Sequence, residues 1–484
     1  MLNILENIVS IGNKWLWSYV LIIVLIALGL YFTFKSEFVQ FKFLGEMFKL
    51  LGDGASNSVS SNKKEHKGVS SFQAFCISTA SRVGTGNLAG VAIAISLGGP
   101  GAVFWMWLIA LIGAASSFVE STLAQIYKVK DKHGYRGGPA FYMEKGLNKK
   151  WMGVVFSILI TLSYGFVFNA AQANTITLAF ESAFGWSRLA MGLCLAAVTA
   201  IIIFGGVKRI AKVVELIVPV MAIAYVFVAL FVVVKNFSAI PALFTLIVKS
   251  AFGFGQAISG GIGAIIMQGI KRGLFSNEAG MGSAPNAAAT ADVTHPVKQG
   301  FIQTLGVFTD TILICSATAF IILLSNSHAS EGLKGIQITQ AALSSQVGSW
   351  GNVFIAVCIL LFAFSSIIGN YYYGETNIEF VNGNKGLLAV YRILVLCMVV
   401  FGSVAKIQIV WDMADLFMGS MALINLIAIA MLSKIAFAAL KDYTKQKKEG
   451  KDPVFNLDNI EELRNIEQLE NIECWAEEEQ TYAV

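Results

Sequence analysis

Apolar stretches of about 20 residues recur along this chain, and that is the length a helix needs to cross the hydrocarbon core of a bilayer. Eleven such spans can be read, at approximately 16–34, 71–97, 100–126, 151–181, 187–205, 213–234, 250–281, 300–325, 350–376, 386–404 and 409–434. Hydrocarbon holds no water, so each segment must satisfy its own backbone N–H and C=O groups, and helices do that. The expectation is an all-α polytopic membrane protein. Charged residues make up 13% of the chain and hydrophobic ones 56%. A soluble domain carries roughly 25% charge, so a soluble multidomain protein is excluded. The first span lacks a basic n-region and a small-residue cleavage site, and reads as a retained helix. Cys76, Cys194, Cys315, Cys358 and Cys397 fall in apolar spans and Cys474 in the polar tail. With no CxxC spacing, neither a disulfide framework nor a metal site is expected.

The net charge of +5 does not point to nucleic acid; its distribution is what informs. Lysine and arginine crowd the loops after the first, third and fifth spans, for example Lys63, Lys64, Lys67, Lys128, Lys130, Arg136, Lys208 and Arg209. Alternate segments are sparse in both. Basic loops stay cytoplasmic, which places the N-terminus outside, the C-terminus inside, and the chain in the cell membrane. The expected organisation is an N-terminal helix with a basic loop (1–70), two five-helix units (71–234 and 250–434) and a cytoplasmic polar, acidic tail (435–484). The tail reads as solvated or disordered, with a regulatory contact as the lesser reading.

Two spans are broken by glycine. The second contains S-R-V-G-T-G-N-L-A-G from Ser81, and the seventh runs Gly253-Phe-Gly-Gln-Ala-Ile-Ser-Gly-Gly-Ile-Gly263. Irregular backbone at membrane depth persists where it lines a protein cavity. Interrupted spans at corresponding places in two halves of opposite topology are the sequence pointer to an inverted-repeat transporter, with substrate and ion bound at the breaks. Glycines that serve only close helix packing are the competing explanation.

At these residues the chain resembles the alanine/glycine:cation symporters, also called sodium:alanine symporters. The matching stretches are S-R-V-G-T-G-N-L-A-G-V-A, L-G-G-P-G-A-V-F-W-M-W, G-G-P-A-F-Y-M at 137–143 and N-A-A-Q-A-N at 169–174. They continue with G-I-K-R-G-L-F-S-N-E-A-G-M-G-S-A-P-N-A-A-A from Gly269 and F-A-F-S-S-I-I-G-N-Y-Y-Y-G-E from Phe362. The resemblance implies a LeuT-like core of five plus five helices behind one extra helix, and sodium-coupled uptake of small neutral amino acids such as alanine and glycine.

A zwitterionic substrate needs donors for its carboxylate and acceptors for its ammonium. The unwound turn at Gly84, Thr85, Gly86 and Asn87 offers backbone N–H groups and a helix N-terminus. Carbonyls around Ser259, Gly260, Gly261, Ile262 and Gly263 would take the ammonium. Asn169 and Gln172 share a helix face; Gln172 could donate to the carboxylate, or the amides could glue helices together. Asn370 joins the substrate-binding set. Sodium is a hard cation that takes oxygen ligands. Ser365 and Ser366 supply hydroxyls, and the LeuT-like alignment implies that carbonyls of Ala80, Val83 and Phe362 complete five ligands. No cofactor is expected beyond sodium as coupling ion.

Arg82, Glu120, Lys271, Arg272, Glu278 and Asp310 lie within spans or at their inner ends, where ionisable groups are functional candidates. Snorkelling is favoured for Glu120, Lys271, Arg272 and Glu278; an ion pair of unnamed partner is open for Arg82 and Asp310. His66, His133, His295 and His328 fall in loops. The runner-up readings are a proton-coupled amino-acid symporter and, further off, a channel. A membrane enzyme would need a nucleophile–base or metal constellation that the sequence lacks.

Overall fold

A computed structural model describes residues 2–59, 69–131, 134–254, 261–325, 332–463, 469 and 472–475. It is an all-α polytopic membrane protein. Its helices of five residues or more are α1 (Asn7–Lys35), α2 (Leu44–Val59), α3 (Ser71–Arg82), α4 (Gly86–Gly98), α5 (Ala102–Ile126), α6 (Pro139–Lys145), α7 (Lys150–Phe184), α8 (Arg188–Ile203) and α9 (Gly206–Lys235). They continue with α10 (Ile240–Ala251), α11 (Gly261–Asn277), α12 (Ala284–Ala288), α13 (Pro296–Ser325), α14 (Ile336–Val347), α15 (Trp350–Val381), α16 (Lys385–Val404) and α17 (Ile407–Lys448). Among the described residues, 8 helices are long and apolar enough to cross a membrane.

Three expected spans take a different form. Span 71–97 is divided into α3 and α4 by Val83–Thr85, while span 187–205 is the shorter α8. Span 250–281 starts in the last turn of α10, turns at Gly253 (φ +78°) and, past residues 255–260, which lie outside the described ones, contains α11. A two-stranded hairpin, β1 (Val129–Asp131) with β2 (Gly134–Arg136), is added after α5, with Lys130 opposite Tyr135.

The sequence explains where helices start and stop. A capping box opens α3: Ser70 Oγ accepts from Gln73 N, and Gln73 Oε1 accepts from Ser70 N. Gly185, at φ +67°, terminates α7. Burial separates core from periphery. The apolar window of α5 is 72% buried, that of α9 28%. On α9, Leu216, Phe227 and Val234 remain exposed, as lipid-facing side chains must. The core is therefore α3, α4, α5, α7, α11, α13 and α15, with α13 packed along α5 and α15 along α7.

The tail departs from expectation. Helix α17 continues past 434 to Lys448, and the chain then folds back over the helix ends. Phe455 is fully buried, its N–H bonds Thr294 O at 2.9 Å, and Asp452 pairs with Lys298 at 2.8 Å. Trp475 donates its indole N–H to Gln125 O and packs on Phe455. Two isolated aromatics bury enough apolar surface to hold the segment down. The described part of the tail is docked, not solvated. His295, expected in a loop, is the buried N-cap of α13 and packs against Phe455.

Candidate functional site

The first helix break is the centre of the site. Where α3 ends, Ser366 Oγ from α15 lies 2.8 Å from Ala80 O, 3.4 Å from Val83 O and 3.0 Å from Phe362 O. One hydroxyl hydrogen serves one carbonyl well, so three carbonyls around it make an electron-rich point. Ser365 Oγ donates to Phe362 O at 2.8 Å on the side facing Met221. The five residues expected for sodium thus lie together, with Ser366 central and Ser365 turned toward α9.

The break itself is held by side chains. Gly84 N–H donates to Asn87 Oδ1 and Thr85 N–H to Gln172 Oε1, both at 2.9 Å. These N–H groups, expected to be free for a carboxylate, are already taken; Gln172 keeps its Nε2 donors. Glycine is required at 84 because a Cβ there would lie 2.3 Å from Ser366 Oγ and 2.8 Å from Gln172 Oε1. The same crowding brings ion-type and substrate-type residues to one point. Gly86 packs closely on Phe275 and Ser276 of α11. Asn169 Nδ2 back-bonds to Gly165 O of its own helix at 3.1 Å, a packing role.

The second break lies elsewhere than expected. Gly261, Ile262 and Gly263 open α11: Ile262 is 48% exposed, and neither glycine has a neighbour near its Cβ position. Phe275 and Ser276, which touch Gly86, are about 20 Å further along the helix at 1.5 Å per residue. The structure does not bring Gly261, Ile262 or Gly263 to the first break; Ser259 and Gly260 lie outside the described residues.

Instead α11 unwinds at Glu278–Ser283, with Glu278 at φ +58°, Gly280 at +80° and Gly282 at +83°. Glu120 of α5 satisfies the freed backbone: its carboxylate accepts from Gly280 N at 3.1 Å, Gly282 N at 3.0 Å and Asn425 Nδ2 at 2.8 Å. Glu278 accepts from Ser81 Oγ at 2.9 Å and Ser283 Oγ at 2.7 Å, and Ser81 Oγ also sits 2.7 Å from Asn370 Oδ1. Asn370 is therefore brought to the break region through Ser81.

Snorkelling is corrected for all four residues. Glu120 and Glu278 are buried in these networks, because unwound backbone needs fixed acceptors. Lys271 and Arg272 converge on Asp415 at 2.8 and 2.6 Å. Arg272 also stacks on Trp411, which with Phe168 flanks Phe275 at ring distances of 4.7 and 4.8 Å. Through Phe275 these rings pack against Gly86 of the break. Arg82 donates to Gln303 O at 3.1 Å. Asp310 accepts from Asn87 Nδ2 at 2.6 Å, Thr311 Oγ1 at 2.8 Å and Ser276 Oγ at 3.1 Å. Neither finds an opposite charge within ion-pair distance among the described residues. At the membrane edge, burial pulls the His295 imidazole below its usual range, which the Asp442 carboxylate 3.2 Å away only partly offsets.

Sequence reasoning missed Ser276, Phe275, Phe168 and Trp411 as site-builders, and favoured snorkelling for Glu120 and Glu278. For Glu278 a signal was present: N-E-A-G-M-G places two glycines beside its carboxylate inside an apolar stretch.

Comparison with known proteins identifies the family. The chain is 61% identical over 475 residues to the probable sodium/glutamine symporter GlnT of Bacillus subtilis (strain 168), covering 98% of this chain and 97% of that one. It is 59% identical to the amino-acid carrier protein AlsT of the same organism, covering 94% and 96%. A mutant of the Eremococcus coleocola manganese transporter superposes with a TM-score of 0.50 at 12% identity, over 78% of this chain and 81% of that one, a likeness of fold alone. Residues 2–457 match the description "Sodium:alanine symporter family". The chain belongs to that family of transporters, not enzymes, and is a cation-coupled amino-acid symporter.

Proposed function

We propose that this chain imports neutral amino acids, alanine and glycine among them, in symport with sodium, by alternating access around a LeuT-like pair of five-helix repeats. The N-terminus is outside and the C-terminus cytoplasmic. The convergence of the Ala80, Val83 and Phe362 carbonyls on Ser366 Oγ carries this reading. An all-oxygen, uncharged donor set suits a hard monovalent cation. Sodium held there ties the end of α3 to α15. Gln172 Nε2 orients the substrate carboxylate one turn away, so each ligand orders the turn the other needs, which is coupling in thermodynamic terms. The name of the relative GlnT adds glutamine as a further substrate.

The test is labelled alanine uptake into proteoliposomes holding the full chain. An inward sodium gradient should drive accumulation, and a pH gradient in sodium-free buffer should not. Proton coupling is the second reading, favoured by the buried Asp310 carboxylate against Asn87 of the break. Accumulation driven by the pH gradient alone would establish it in place of sodium.

A further inference from the structure

Asn370 lies four residues beyond Ser366 on α15, hence one turn along the same face. On α7 that spacing leads from Gln172 to Phe168 and on to Tyr164. Ser81 and Glu278 join Asn370 at the same level, through the shared Ser81 hydroxyl. The Tyr164 hydroxyl faces Glu278, and that of Tyr373 faces Ser81. The Tyr164 ring packs on Phe168 at 4.6 Å and on Tyr373 at 5.4 Å. In this polar layer Ser81 and Asn370 lie about one helical turn from Gly84 and Ser366, and Tyr164 about two turns from Gln172.

It is also incompletely satisfied. Asn370 Nδ2 is fully buried and has no hydrogen-bond partner, and the buried hydroxyls of Tyr164, against Glu278 and Ser283, and of Tyr373, against Ser81, make no well-formed hydrogen bond. Buried polar atoms are nearly always paired, so an orphaned amide end beside two loosely held hydroxyls calls for a ligand. The Asn370 amide can be placed either way round. One orientation leaves a donor free; the other gives an Nδ2–Ser81–Glu278 chain and leaves an acceptor free. Glu278 Oε1 has lone pairs to spare after Ser81.

We propose that this layer is the subsite for the substrate side chain, that it takes a terminal carboxamide, and that Asn370 selects glutamine among neutral amino acids. The proposal rests on the amino-acid symport reading above. A carboxamide carries a donor and an acceptor on one carbon, which matches a free amide end beside a carboxylate. It adds no charge to a buried site. A glutamate side chain would meet the Glu278 carboxylate and be repelled. Alanine leaves the layer unfilled and gains nothing from it. Sites that hydrogen-bond a substrate group discriminate strongly against analogues lacking it.

The experiment measures sodium-driven uptake of labelled alanine in proteoliposomes, competed by unlabelled alanine, glutamine, glutamate or lysine. In the natural chain glutamine should compete at or below the alanine concentration, and glutamate and lysine only weakly. Asn370→Leu should raise the half-inhibitory glutamine concentration roughly 10- to 100-fold, and by at least several times more than it raises that of alanine. Tyr164→Phe should weaken glutamine alone, by a few-fold. Glutamine and alanine affinity falling together at unchanged thermal stability would overturn the proposal, as would lysine competing better than glutamine. Should Asn370→Leu not fold, Asn370→Ser and Tyr164→Phe carry the same comparison. If the natural chain shows no sodium-driven alanine uptake, the symport reading fails; glutamine-induced thermal stabilisation of the purified chain, lost in Asn370→Ser, then decides the subsite by itself.

Discussion

Replacing Ser366 by alanine tests the coupling site at its centre. The substitution removes an oxygen that lies 2.8 Å from Ala80 O, 3.0 Å from Phe362 O and 3.4 Å from Val83 O. As a sodium ligand that oxygen makes a charge-assisted contact, and such contacts contribute about 1.5–3 kcal/mol. The full figure will not appear as lost affinity. Without sodium, the same hydroxyl is the donor that those carbonyls share, and a buried acceptor left without a partner costs about 1–3 kcal/mol. Ser366→Ala therefore raises the sodium-free state as well, and part of the loss cancels. The net penalty is about 1–2 kcal/mol, roughly a 5- to 30-fold rise in the sodium concentration for half-maximal uptake. The assay is initial uptake against sodium at saturating substrate, with thermal stability of the purified variant in parallel. Stability without sodium should fall, and sodium should stabilise the variant less than the natural chain. The reasoning is refuted if half-saturation by sodium is unchanged while substrate affinity drops, because Ser366 would then belong to the substrate and not to the ion.

Three further predictions come from the network around the break. Gln172→Ala removes the acceptor of the Thr85 N–H and the donor assigned to the substrate carboxylate; substrate binding per folded molecule should weaken about ten- to a hundred-fold, whereas normal binding with poor expression would indicate a helix-packing role. Asp415→Asn leaves Lys271 and Arg272 without their shared carboxylate, and breaking a buried pair costs about 3–5 kcal/mol. The retained amide should hold the loss near the lower end, seen as a clear drop in Tm; an unchanged Tm would show that the cluster is solvated. The lowered titration of His295 means that the unfolded or undocked chain takes up the proton first, so its contribution is fully present above about pH 6.5 and is lost as pH falls below that. The stability difference between the natural chain and His295→Gln, followed through Tm, should thus narrow on acidification, by at most about 1.4 kcal/mol per pH unit. A difference independent of pH would remove His295 as the cause.

The two helix breaks show what could be read from the sequence and what could not. The first was legible because Gly84 and Gly86 flank a threonine inside an otherwise apolar run, and the structure needs glycine at 84 for lack of space beside Ser366 and Gln172. The second was sought where glycines are densest, around Gly253–Gly263. Glycine density marks conformational freedom, not its use. The unwinding seen among the described residues uses Gly280 and Gly282, with Glu278 forced into the left-handed region beside them. The N-E-A-G-M-G run hints at a turn there, but local sequence does not announce the strain at Glu278, which is held by hydrogen bonds to Ser81 and Ser283.

The embedded charges carry the argument further. A carboxylate near the end of an apolar span looks like one reaching for water, and from one dimension that is the economical reading. What makes Glu120 a buried residue is the pair of unpaired N–H groups at Gly280 and Gly282, 160 and 162 positions away in the chain. The expense of opening a helix in hydrocarbon and the expense of burying a carboxylate there cancel only when the two features meet. The sequence shows both expenses separately. The same holds for Lys271 and Arg272, whose shared partner Asp415 lies more than 140 residues downstream. In a membrane protein, two costly features unexplained apart are best sought as partners, and the orphaned amide of Asn370 one turn from the break is such a feature still awaiting its partner.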